Sequence, residues 1–240
     1  MISDLFKDLS PNSLVFLVYA IGFALVSSFF HYRSLLKRQS DDFRAFILYF
    51  LYFFVLLFAF PFVFILLFFP QPLETLKSLG LQFGDPRLGI LIVLIGAPIM
   101  AVVSFISTKN PTIREQYPFS KKACENSKKF VLYEISYLVF YYVTWEFTFR
   151  GVLLFGLIEW GGGDTNGIII AILVQAIIAT VYHLGHPHME IFGALLGSVI
   201  FGIIAYATHS ILYTIILHAF VGILNDTIIY LRYHRNTKRT

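Results

Sequence analysis

The stretch Trp145-Glu146-Phe147-Thr148-Phe149-Arg150-Gly151 places a carboxylate and a guanidinium four residues apart inside an apolar run over residues 130–160. A charged side chain at the centre of a membrane helix costs roughly 2.5–3.5 kcal/mol on insertion scales, so charges retained there mark a site or a tight pairing. At this spacing Glu146 and Arg150 share one helix face and offset each other. The competing reading is an ion pair that only locks two helices together. Both readings make the run a membrane helix, and the rest of the chain must then supply its partners.

It does so in quantity. The chain has 240 residues, 58% of them hydrophobic and 13% charged, with 27 Phe and 14 Tyr. That is too apolar for one soluble domain and fits a polytopic membrane protein. Seven segments are long enough to span, at about 13–30, 45–69, 88–107, 130–160, 167–183, 190–207 and 210–231. The first follows the acidic MISDLFKDLSPNS, with no basic n-region and no small-residue cleavage site, and is expected to be a retained helix rather than a signal peptide.

The net charge of +4 reflects topology and not a nucleic-acid partner. Of 18 Lys and Arg, four lie at 33–44, six at 109–129 and four at 232–239, all on one side of a seven-span chain. The other side holds Lys7, Lys77 and Arg87, while Arg150 lies within a span. The positive-inside rule then places the N-terminus outside and the C-terminus inside. Short loops suit a bacterial cytoplasmic membrane. The single Cys124 rules out an intramolecular disulfide and a multi-cysteine metal site.

Four parts follow: a three-helix membrane segment at 1–107, a basic cytoplasmic loop at 108–129, a helix core at 130–231 and a basic cytoplasmic tail at 232–240. The first three helices are very aromatic and carry almost no polar residue within their spans. In the core polar residues recur inside helices: Glu134, Glu146, Arg150, Gln175, His183, His218, Asn225 and Asp226. Gly161-Gly162-Gly163 reads as a short outer turn. Gly193, Gly197 and Gly202 read as a small-residue stripe for close helix packing.

The histidines divide by depth. In Tyr182-His183-Leu184-Gly185-His186-Pro187-His188, Pro187 breaks the helix between the last two, which are expected in a wet interfacial loop. His183 lies deeper and is the better candidate for chemistry. His218, in IILHAFVG, has apolar neighbours, and Asn225 lies two turns on along the same face. His209 is expected at the outer boundary. Zinc wants three or four well-placed ligands, and the helix pattern of two histidines flanking a glutamate is absent. No metal and no cofactor are expected.

EFTFRG, YHLGHP, the glycine-rich helix and THSILYTIILHA, taken in order, resemble the CAAX-protease and bacteriocin-processing group of intramembrane proteases over about residues 108–225. The family pattern is a Glu-Glu-x-x-x-Arg helix, a Phe-x-x-x-His helix and a His-x-x-x-Asn helix. By that resemblance Glu146 and Arg150 match the second Glu and the Arg, His183 the second-motif histidine and His218 the third. Trp145 stands at the first Glu, Ala179 at the Phe and Gly222 at the Asn. A residue at 146 points about 100° away from one at 145.

The resemblance implies an all-α membrane bundle of about seven helices, with a polar cavity built by the last four. It implies an endopeptidase that cuts a membrane-associated or lipidated peptide substrate in the bilayer. Glu146 and His183 would activate the water, His218 would donate to the oxyanion and Arg150 would orient Glu146. The alternatives are a catalytically silent member that binds a membrane protein or lipidated peptide, and a transporter with a proton relay.

Overall fold

A computed structural model describes residues 11–27, 29–39 and 41–237 of the protein. Lys7, Lys238 and Arg239, which enter the charge asymmetry, lie outside the described residues. Every regular element among those described is helical: α1 Pro11–Ser27, α2 Tyr32–Arg38, α3 Asp42–Phe68, α4 Pro72–Ser78, α5 Pro86–Ser107, α6 Pro111–Gln116, α7 Ser127–Trp160, α8 Thr165–Val181, α9 His188–Thr208 and α10 Leu212–Thr237.

The helix starts are written in the sequence. Asp41, Asp85, Asn126 and Asp164 each accept a hydrogen bond from a backbone N–H in the first turn of α3, α5, α7 and α8, which satisfies a donor the helix leaves open. Among the described residues five helices, α3, α5, α7, α9 and α10, are long and apolar enough to cross a membrane, so this is an integral membrane protein. The expected spans at 13–30 and 167–183 are the 17-residue helices α1 and α8, shorter than those five. At 34 residues α7 is the longest. At about 1.5 Å per residue it exceeds a hydrocarbon core of about 30 Å, so one of its ends stands in the headgroups or beyond.

Two π-helical stretches interrupt α7, at Tyr137–Tyr142 and Phe147–Phe155. Such wide turns are uncommon and cluster at functional sites. They bracket Val143–Glu146. Rings from α3 pack along this part of α7, Phe50 on Tyr137 and Phe53 on Tyr141, each at 4.8 Å between centroids. The N-terminal helices thus supply the wall against which the polar helix is held. On the opposite side α5 lies along α10, where Gly89 sits under the Tyr213 ring at a distance that leaves no room for a Cβ.

The basic segments gather at one end of the bundle. Lys122 pairs with Asp41 at 3.4 Å, Arg232 donates to the Thr108 carbonyl and the His234 ring meets the Cys124 carbonyl at 2.9 Å. At the other end Gln82 donates to the carbonyl of His209, and Ser210 to that of Gln82. His209 is the left-handed cap of α9 (φ 51°), at the end expected for it. The glycine turn after α7 forms as read, with Gly162 and Gly163 at φ 79° and 70°.

Candidate active site

Glu146 is fully buried where α7 faces α10. Its Oε1 lies 2.6 Å from His218 Nδ1 and 3.2 Å from Arg150 Nη1. Its Oε2 is buried with no hydrogen-bond partner. Arg150 is equally buried, donates through Nη2 to Ser198 Oγ on α9 at 3.1 Å, and lies over the Phe201 ring at 5.5 Å. One guanidinium thus joins α7 to α9 while the carboxylate beside it joins α7 to α10. A planar fork does this; an ammonium has no equivalent geometry.

His218 keeps 22% of its side chain exposed. With Nδ1 turned to the carboxylate, Nε2 is the atom left to meet anything entering from outside. Three rings surround the imidazole: Tyr142 at 4.8 Å, Phe201 at 5.8 Å and Trp145 at 6.4 Å. Trp145 is also edge-on to His183 at 5.3 Å, so the indole stands between the two histidines.

His183 is half-buried, and its position differs slightly from expectation. α8 ends at Val181, and His183 lies in the turn that follows, closed by Gly185 at φ 96° before Pro187 caps α9. Its Nδ1 donates to the Ala179 carbonyl at 2.9 Å. A carbonyl only accepts, so Nδ1 carries the proton and neutral His183 presents an unprotonated Nε2. Glu146, Arg150 and His218 are therefore in direct contact, whereas His183 joins them across Trp145.

His188 is exposed, as a loop residue should be. His186 is not simply wet: its Nδ1 meets Glu190 Oε1 at 2.7 Å, the same oxygen accepts from the Tyr117 hydroxyl, and its ring lies 5.6 Å from His183. Asn225, on the His218 face of the helix, accepts from Ser107 of α5 and does not enter the cluster. Glu134 and Asp226 are buried carboxyls outside it, with their side chains set against each other. Sequence reasoning passed over Ser198, Phe201 and Tyr142, for which no local pattern gave a signal. Among the described residues no group of three or more His, Cys, Asp or Glu is arranged to hold a metal ion.

The model of one protein family, described as Type II CAAX prenyl endopeptidase Rce1-like, matches residues 127–224. Over this segment the chain is similar to the CAAX-protease family. The match covers less than half of the chain, from the start of α7 to the middle of α10, and contains all four contributors to the cluster. No curated protein and no solved structure matches the chain. Against the family pattern, each of the three departures lies at the cluster: Trp145 between the histidines, Ala179 under His183, and Gly222 one turn beyond His218.

Proposed function

We propose that the protein is an intramembrane endopeptidase that hydrolyses a peptide bond of a lipidated or membrane-associated substrate, with Glu146, Arg150, His183 and His218 as its working residues. The observation that carries this reading is the Glu146–His218 contact at 2.6 Å, buried on the carboxylate side and open on the imidazole side. A carboxylate fixed to one ring nitrogen sets the tautomer and orientation of the other, the logic of histidine-dependent hydrolases generally.

The division of labour follows from which atoms are free. His183 Nε2 accepts a proton from water as the water oxygen attacks the scissile carbonyl carbon. His218, held at Nδ1 by Glu146, donates a hydrogen bond from Nε2–H to the developing oxyanion and keeps that proton throughout. The C–N bond then breaks and His183 returns its proton to the leaving amine. Glu146 thus acts chiefly by holding and charging His218. This is a narrower part than direct activation of water, and it suits a side chain with no exposed surface. Arg150 offsets the carboxylate and ties it to Ser198 and Phe201. Trp145 keeps the space between the histidines apolar.

The basic end of the bundle faces the cytoplasm under the positive-inside rule, so the substrate is met from that side. The family description makes a prenylated C-terminal peptide the first substrate to try. Purified protein in detergent is incubated with a farnesylated peptide ending in a C-a-a-X sequence, and the products are weighed by mass spectrometry. A new peptide pair is expected, lost on His183→Ala and on His218→Ala and retained with His188→Ala. A folded wild-type protein that leaves farnesylated and unmodified peptides intact would put the silent binding protein in its place.

A further inference from the structure

Gly222 lacks a side chain, but the space a side chain would take is filled. A Cβ built on Gly222 would lie 1.6 Å from the hydroxyl oxygen of Tyr142 and 2.6 Å from its Cζ. Tyr142 comes from α7, one turn before Glu146, and Gly222 stands one turn after His218 on α10. The phenol therefore crosses the α7–α10 seam on the rung next to the Glu146–His218 pair. Its ring is nearer the His218 imidazole than either Phe201 or Trp145, at 4.8 Å and 58°. Tyr142 is 3% exposed, and its ring lies 4.4 Å from that of Tyr137. It closes the π-helical turn Tyr137–Tyr142, the first of the two in α7.

We infer that Tyr142 is a positioning residue that fixes the His218 imidazole, and that residue 222 is glycine because the phenol occupies its side-chain space. The inference rests on the reading of His218 as the oxyanion donor. Glu146 holds the imidazole at one atom only, and a ring held at one atom still swings about that hydrogen bond. The Tyr142 face closes the swing on one side, with Phe201 and Trp145 on the others. The arrangement is exclusive: an asparagine at 222 puts its Cβ within bonding distance of the phenol oxygen, so the chain has either this tyrosine or a side chain at 222. Phe201 and Trp145 have other duties, under Arg150 and between the histidines, whereas Tyr142 spans from the His218 ring to Gly222.

The test is a double-mutant cycle of Tyr142→Ala, Gly222→Ala and the pair, with Tyr142→Phe beside it. Each folded variant is read by kcat, KM and pH–rate profile on the farnesylated peptide. The Nδ1–H resonance of His218 is followed without substrate, in ¹⁵N-histidine-labelled protein. Tyr142→Ala is expected to lower kcat by about tenfold or more with KM little changed, as small misplacements of reacting groups do. The His218 resonance should broaden in the same variant. Gly222→Ala, which drives the phenol away, should do the same, and the double variant should be no worse than the worse single one, because both remove one contact. Tyr142→Phe keeps the ring and should keep most of kcat and the resonance.

Losses that add, or folded Tyr142→Ala with wild-type kcat, pH profile and His218 resonance, would overturn the inference. A packing role alone would lower the melting temperature and leave kcat per folded molecule unchanged. If the wild type cleaves no peptide, the proposed function fails but this inference is still decided. An unchanged His218 resonance in Tyr142→Ala refutes the positioning, and a broadened one upholds it.

Discussion

At the scale of residues, the site turns on a charge pair in which each member has a second partner. Arg150 reaches Glu146, Ser198 and Phe201 at once, through two different nitrogens and its flat face. Arg150→Lys keeps the charge but loses the fork and the stacking. It is expected to cut cleavage by at least tenfold and to destabilise the protein by about 1.5–3 kcal/mol, as losing a buried hydrogen bond from a charged group does. Thermal unfolding in detergent together with kcat checks it, and near-wild-type values for both would show that charge alone suffices. The sequence made Glu146 and Arg150 legible because charges stand out in an apolar run. Their contact with each other was equally legible from the four-residue spacing. Invisible was that His218, 72 residues on, takes the same carboxylate oxygen. Long-range pairing leaves no trace in spacing, and only the resemblance suggested that these residues meet.

At the scale of elements, the sequence read helix existence well and helix detail poorly. Segment 130–160 is one long helix, but nothing in Tyr137–Tyr142 or Phe147–Phe155 marks the wide turns that the packing against α3 and α10 accompanies. The fifth span was read through His183, whereas α8 stops at Val181; Gly185 and Pro187 were the signals for an earlier end. The glycine stripe of α9 was read as one packing face and is not. Only Gly202 is closely met, with a Cβ position 2.8 Å from Nε2 of buried Gln175, whose amide holds the carbonyls of Ile172 and Ser198. Nothing lies within 4 Å of a Cβ at Gly193 or Gly197. Gly202→Ala is therefore expected to lower stability by about 1–3 kcal/mol through overpacking. Gly193→Ala and Gly197→Ala should be neutral or raise it by up to about 1 kcal/mol through helix propensity. Melting temperatures of the three variants decide, and equal losses at all three would restore the single-face reading.

At the scale of the whole molecule, the basic segments 33–44 and 109–129 and the end of α10 converge at one end, as a charge-sorted topology requires. Their cytoplasmic location is a proposal that the lone thiol tests with one precaution. Cys124 is 5% exposed, and burial, with Asp226 nearby, pushes its thiol up to about 11. Because the thiolate is the reacting form, an impermeant maleimide should label opened cells slowly at pH 7 and faster as pH rises toward 11, and should leave intact cells unlabelled. The exposed neighbour Glu125→Cys in a Cys124→Ser background should label quickly once cells are opened. Fast labelling of that variant in intact cells would invert the topology. The claim on which the rest depends is that Glu146 makes His218 catalytic, and Glu146→Gln tests it most directly. The amide keeps the size and a carbonyl for His218 Nδ1–H but carries no charge to support an imidazolium. Measured on folded protein with the farnesylated peptide, Glu146→Gln should reduce kcat by about 10³-fold or more, in the range known for the orienting carboxylate of a catalytic triad. Full cleavage by folded Glu146→Gln protein would contradict the account.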